Sequence, residues 1–154
     1  MNTYCDALME VTLRPPVTMV AGKGAWLEDH TGKRYLDFVQ GWAVNCLGHC
    51  PAVVTEAAVQ QMNRLISCSP GYYNAPMMQL AARLAELSGM DKVFFTNSGA
   101  EANEGAIKLA RKWGQQHRHG AYGIITLQNS FHGRTLAAMS ASGLIASEKT
   151  GISL

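Results

Sequence analysis

Apolar and polar positions first alternate in short runs and then, further along, repeat at helical spacing. Residues 1–16 carry little pattern, and Arg14-Pro15-Pro16 closes them as an extended segment. Three strand-like runs follow at 17–21, 25–29 and 34–39. Gly22-Lys23-Gly24 and His30-Thr31-Gly32-Lys33 separate them as turns, which predicts a small antiparallel meander. Residues 41–50 contain Gly41, Asn45, Gly48 and His49 and read as a loop. Pro51 suits a first helical turn, and Val54, Ala58 and Met62, spaced by four, predict a helix over 52–66. After a loop at 67–74, a second helix is expected over 76–87, with Leu80, Leu84 and Leu87 in one stripe and Gly89 closing it.

The pattern then alternates between classes. A buried-type strand is expected at 92–96, and a helix over 98–113 with Gly114 ending it. Another buried strand follows at 122–127, then a turn at 129–134 and a short helix over 135–142 ended by Gly143. Residues 144–154 show no clear pattern. Strands and helices alternating at this size argue for parallel βαβ units and an α/β fold. A parallel sheet needs several strands and cover on both faces. With two such strands legible, the expectation is the beginning of a sheet rather than a whole one.

Candidate chemistry gathers at two turns. Phe94-Phe95-Thr96-Asn97-Ser98-Gly99 takes an apolar run into small polar residues just where a helix begins. Helix N-termini carry unpartnered N–H groups and a partial positive charge, and both favour an anion. Ser98 and Glu101 also have the spacing of a capping box, which needs no ligand. On the anion reading, Gly99 lets a phosphate approach the backbone, and the N–H groups of Gly99 and Ala100 hold it. The second turn, Phe131-His132-Gly133-Arg134-Thr135, follows the next strand. Ligands of open α/β sheets sit beyond the carboxyl ends of strands, so both turns are expected to face one crevice. There Phe131 could stack on a flat heterocycle and Arg134 could grip a carboxylate with paired hydrogen bonds. The alternatives are a core phenylalanine and a solvated arginine at a helix start. His49 and His132 read as structural hydrogen-bonding residues ahead of catalytic bases. Trp42, Tyr72 and Tyr73, in loops, are equally interface, core or pocket-wall residues.

Composition narrows the class. The 154 residues are 47% hydrophobic and only 16% charged, which suits a chain that buries surface in a subunit interface. A net charge of +2 gives no reason to expect nucleic acid or a membrane surface. No run reaches the length of a membrane span, and Met1–Asp6 lacks the character of a signal peptide. Cys46 and Cys50 flank His49, but no second ligand pair at zinc spacing accompanies them. The four cysteines read as reduced thiols of a cytoplasmic protein, with no metal expected.

Asn97-Ser98-Gly99-Ala100-Glu101-Ala102-Asn103-Glu104 and Phe131-His132-Gly133-Arg134-Thr135 resemble the paired signatures of class III pyridoxal-phosphate aminotransferases. Asp37-Phe38 through Gly41-Trp42-Ala43-Val44-Asn45-Cys46-Leu47-Gly48-His49, with Tyr73-Asn74 and Leu87-Ser88-Gly89, resembles the acetylornithine aminotransferase branch. The likeness runs in register over about residues 8–143. One departure is that Cys50 leads straight into Pro51, a small local deletion.

The resemblance implies the N-terminal portion of fold type I: a small-domain segment at 1–50, with the meander, and the beginning of the large cofactor-binding domain at 51–154. It implies pyridoxal 5'-phosphate as cofactor, bound through its phosphate by the backbone of Gly99 and Ala100 and stacked on Phe131. It implies that Arg134 binds the substrate α-carboxylate, and that the protein is a homodimer with its active site at the subunit interface. The implied reaction moves an amino group from N-acetylornithine to 2-oxoglutarate, a step of arginine biosynthesis. The family also needs a later Asp at the pyridine nitrogen and a later Lys for the Schiff base. Lys23, Lys33, Lys92, Lys108, Lys112 and Lys149 stand in no matching motif, so this chain alone is expected to be inactive. The rivals are a non-catalytic fragment or interaction module, and an ornithine or 4-aminobutyrate type of class III aminotransferase.

Overall fold

A computed structural model describes residues 7–9 and 11–143. Cys5, Lys149 and the patternless segment 144–154 lie outside the described residues. The chain divides into two compact units, Met1–Tyr72 and Tyr73–Leu154.

In the first unit, β1 (Met19–Lys23), β2 (Trp26–Asp29) and β3 (Arg34–Leu36) form an antiparallel sheet in that order. This is the expected meander, with each strand a little displaced or shortened. Met19 faces Asp29 and Lys23 faces Trp26, while Trp26 faces Leu36 and Glu28 faces Arg34. The β2–β3 turn is organised by Asp29, which is 5% exposed. Its Oδ1 accepts from the N–H groups of Thr31 and Lys33 and from the Thr31 hydroxyl, and its Oδ2 accepts from the Tyr35 hydroxyl.

Residues 41–50, expected as loop, contain structure. α1 (Gln40–Ala43) is a single turn wound left-handed, with φ 63° and ψ 42° at Gly41 and φ 63° and ψ 47° at Trp42. α2 (Ala52–Met62) starts after Pro51 as predicted but stops short of residue 66, because the chain turns at Asn63.

In the second unit, α3 (Ala75–Ser88) is capped by Asn74, whose side chain accepts from the Met77 N–H at 2.9 Å, and is closed by left-handed Gly89. α4 (Gly99–His117) overruns its predicted end. Gly114 does not stop it. The returning chain passes over this glycine, and a Cβ there would overlap the Ala121 carbonyl oxygen. α5 (Leu136–Ala141) lies where the short helix was expected and packs on α4.

The predicted strands at 92–96 and 122–127 form no ladder; among the described residues the meander is the one sheet. They are not buried either: Phe94 is 77% exposed and Ile125 98%. A parallel strand is held by ladders on its flanks and helices on its faces, and no ladder flanks these two. Ala138 is the one buried hydrophobic residue among those described.

Candidate functional site

The site is built on the start of α4. Ser98 lies in extended conformation before the helix, and its Oγ accepts from the Glu101 N–H at 3.2 Å. The Glu101 carboxylate reaches back to the Asn97 N–H at 2.7 Å, one residue beyond the usual capping-box partner. So the capping reading holds, with the Glu101 carboxylate held at Asn97, just ahead of the helix start. Geometry leaves the leading N–H groups of a helix without intrahelical partners, and Gly99 and Ala100 are the first two helical residues here. Apart from its chain neighbours and its own helix backbone, no described atom lies within 4 Å of where a Gly99 Cβ would stand, so the space beside that residue is open.

The Phe131–Thr135 turn docks onto this helix. Asn103 Nδ2 donates to the His132 carbonyl at 2.6 Å, and the Thr135 hydroxyl donates to Glu104 Oε1 at 2.5 Å. Gly133, buried and at φ 129°, packs against Ala100: a Cβ on it would stand 2.7 Å from the Ala100 Cβ. The Ser142 hydroxyl closes the loop from within, accepting from the His132 N–H and donating to the Ala138 carbonyl. The Thr135 hydroxyl also holds the Glu104 carboxyl below its usual pKa range, against a smaller opposing effect of burial.

The structure thus brings Ala100 and the Phe131-His132-Gly133-Arg134 turn together. Phe131 is not core: it is 56% exposed, and the Arg134 guanidinium lies 5.2 Å from its ring centroid as a cation–π pair. Two cavities of this unit are lined by other residues. One of about 680 Å³ is lined by Glu104, Arg111, Tyr122 and Ser140 among others, and one of about 310 Å³ by Phe94, Asn97, Glu101 and Lys108 among others. Neither is lined by Gly99, Ala100, Phe131 or Arg134.

Asn103, Thr135 and Ser142 received no role from sequence reasoning. Asn103 and Glu104 stand one helical turn in from the cap, and polar residues there can bolt a neighbouring loop to the helix. His132 works through its backbone, and its Nδ1 is 3.4 Å from the Ser130 hydroxyl. In the first unit both ring nitrogens of His49 face partners, Asp37 Oδ2 at 2.7 Å and Asn45 Nδ2 at 3.5 Å. Among the described residues no group of three or more His, Cys, Asp or Glu is placed to hold a metal ion. Nor is any helix among them long and apolar enough to cross a membrane.

The second unit thus holds a capped helix start with an arginine-bearing turn packed on its first residues, and the first unit holds an antiparallel meander. The family described as Aminotransferase class-III matches residues 9–153, and the chain belongs to that family. It is 63% identical over 138 residues to acetylornithine aminotransferase 2 of Bordetella pertussis, covering 90% of this chain and 35% of the relative. It is 62% identical over 142 residues to the acetylornithine aminotransferase of Ralstonia nicotianae, covering 90% of this chain and 36% of the relative. Among solved structures, the ornithine aminotransferase of Toxoplasma gondii, with PLP partly occupying its active site, superposes with a TM-score of 0.88 at 30% identity, covering 99% of this chain and 37% of that one. The chain therefore spans about a third of the length of the relatives it matches.

Proposed function

We propose that this chain carries the phosphate- and carboxylate-binding groups of an acetylornithine aminotransferase. The contact of Gly133 with Ala100 is the observation that supports this most, because it sets the arginine-bearing turn on the first residues of α4. The N–H groups of Gly99 and Ala100 would hold the phosphate of pyridoxal 5'-phosphate. The open space at Gly99 suits a dianion. Phe131 would lie against the pyridine ring, and Arg134, in leaving Phe131, would take the α-carboxylate of the amino-acid substrate with two parallel hydrogen bonds. When bound, the cofactor supplies the electron sink for moving an amino group from an amino acid to a 2-oxo acid. N-acetylornithine and 2-oxoglutarate are the proposed pair, within arginine biosynthesis. The names and identities of the Bordetella and Ralstonia relatives favour this over the ornithine reading, whose structural neighbour is 30% identical.

On the same reading, 1–50 is the small-domain segment, 51–154 begins the cofactor-binding domain, and the enzyme is a cytoplasmic homodimer. We assign the covalent lysine to no residue of this chain. A second reading, a non-catalytic interaction module, is favoured by the exposure of Phe94, Ile125, Leu127 and Tyr122 on the second unit.

Addition of pyridoxal 5'-phosphate followed by borohydride reduction separates the readings. The expected result is reversible binding that weakens when pyridoxal replaces the phosphate ester, with no reduced lysine adduct and no turnover. Equal binding of the two compounds would remove the phosphate site. Stoichiometric lysine labelling with turnover of N-acetylornithine would overturn the expected inactivity of the chain alone.

A further inference from the structure

We propose that the Asp37–His49 pair is a latch that holds residues 40–43 in a strained left-handed turn and thereby fixes where Trp42 stands. Gln40 has φ 49°, and Gly41, Trp42 and Ala43 each have φ 63°. The turn is complete: the Ala43 N–H donates to the Val39 carbonyl, and those of Val44 and Asn45 donate to the Gln40 carbonyl, all at 2.9–3.0 Å. Left-handed residues occur singly as a rule, because Cβ crowds the following carbonyl. Here three of the four carry a Cβ.

Apolar packing does not hold the turn. Trp42 is 91% exposed, Val39 63% and Val44 74%. The holding contacts are polar and begin at Asp37. Its Oδ1 accepts from the N–H groups of Val39 and Gln40, each at 2.9 Å, and so fixes the entry to the turn. Its Oδ2 meets His49 Nε2 at 2.7 Å, twelve residues on, with both side chains largely shielded. His49 is itself fixed. Its N–H and C=O pair with those of Gly24 at 2.8 and 3.1 Å. A Cβ on Gly22 would come within 2.9 Å of the His49 side chain, and one on Gly48 within 2.9 Å of the Gly24 backbone. The loop is therefore seated on the β1–β2 hairpin at one end and tied to Asp37 at the other. With Nε2 carrying the proton, the neutral ring donates to Asp37 and accepts from Asn45 through Nδ1, a tautomer inferred from these partners.

Breaking the latch frees the turn to unwind or to reverse hand, and either change moves Trp42. The turn is thus a two-state element whose balance the Asp37–His49 bond sets. This does not depend on the enzymatic reading.

Amide hydrogen exchange on the 154-residue protein tests it. In His49→Ala, the Ala43, Val44 and Asn45 amides should exchange roughly tenfold faster or more, as expected for losing one charge-assisted hydrogen bond, while the β2–β3 ladder keeps its protection. In His49→Gln, whose amide can still donate to Asp37, protection of the turn should return. In His49→Ala/Ala43→Gly, glycine relieves one left-handed residue, and protection should partly return. Unchanged exchange of the turn in His49→Ala overturns the proposal. If His49→Ala also loosens the ladder, His49→Gln decides: turn and ladder both protected supports the latch, a loose turn on a protected ladder overturns it. A double variant no better protected than His49→Ala overturns the strain.

Discussion

Gly133 and Ala100 stand so close that an added methyl on the glycine would meet the alanine Cβ at 2.7 Å, at a φ of 129° that side chains avoid. Gly133→Ala should therefore cost about 1–3 kcal/mol through crowding. The Met139 amide, bonded to the Thr135 carbonyl at 2.7 Å, reports it by faster exchange. If the turn and the helix mouth form one site, affinity for pyridoxal 5'-phosphate should fall in the same variant.

Gly99 separates capping from anion binding. A Cβ at that position meets no atom, so Gly99→Ala should leave helix content unchanged or slightly raised while weakening phosphate-dependent binding. Gly99→Pro keeps the helix, since proline suits its first position and Ser98 is already extended at φ −151° and ψ 160°. It removes one N–H, and affinity should drop by about tenfold, the worth of one hydrogen bond to a charged group. Circular dichroism and equilibrium dialysis give the two readouts; unchanged affinity in both variants removes the phosphate assignment.

At Gly114 two effects oppose. Alanine is the better helix former by about 1 kcal/mol, yet its methyl would overlap the Ala121 carbonyl. Overlap with backbone cannot be relieved by a rotamer change, so crowding of about 1–3 kcal/mol should win. Gly114→Ala should speed exchange at the Arg118 amide, which bonds the Gly114 carbonyl at 2.9 Å. Slower exchange would mean that helix propensity decides.

The Asp29 turn should be sensitive to acid. The Thr31 hydroxyl, foremost, and then the Tyr35 hydroxyl and the Thr31 and Lys33 N–H groups hold its carboxyl well below the usual range, outweighing the upward push of burial. A lowered folded pKa gives stability that is present above the unfolded value and lost as pH falls through the folded one. The hairpin should therefore keep its order at neutral pH and lose it only below the ordinary aspartate range. Asp29→Asn should flatten that acid limb. The Tyr35 hydroxyl, whose pKa the same carboxylate raises, adds a contribution present below the ordinary tyrosine range and lost only as pH rises beyond it. Chemical shifts of Thr31 and Lys33 amides across a titration show both limbs.

Local signals were the legible ones. The meander followed from short runs and glycine turns, and the caps at Ser98 and Gly89 from residue type and place, whereas the Asn74 cap was not read. Gly114 misled because the value of a missing Cβ depends on which chain returns to it, and Ala121 is a non-local partner. Residues 92–96 and 122–127 read as buried because their side chains are apolar; pattern reports the side chain and not whether a neighbour covers it. The left-handed turn was illegible because its hand is imposed by Asp37 and His49 from outside it. Of the site, the helix start at Ser98 and the approach of the Phe131–Thr135 turn to it, seen at Gly133 and Ala100, were legible. The bonds from Asn103 and Thr135 that fasten it are side-chain contacts about thirty residues apart, which no spacing rule reaches.

With Ala138 alone among the described hydrophobic residues shut away from water, heating this chain exposes little new oily surface. Unfolding heat capacity tracks newly wetted apolar area, so a calorimetric trace should show a small step between the baselines. The excess heat should be spread over a wide temperature range, closer to the fraying of separate helices than to the sharp peak of a filled interior.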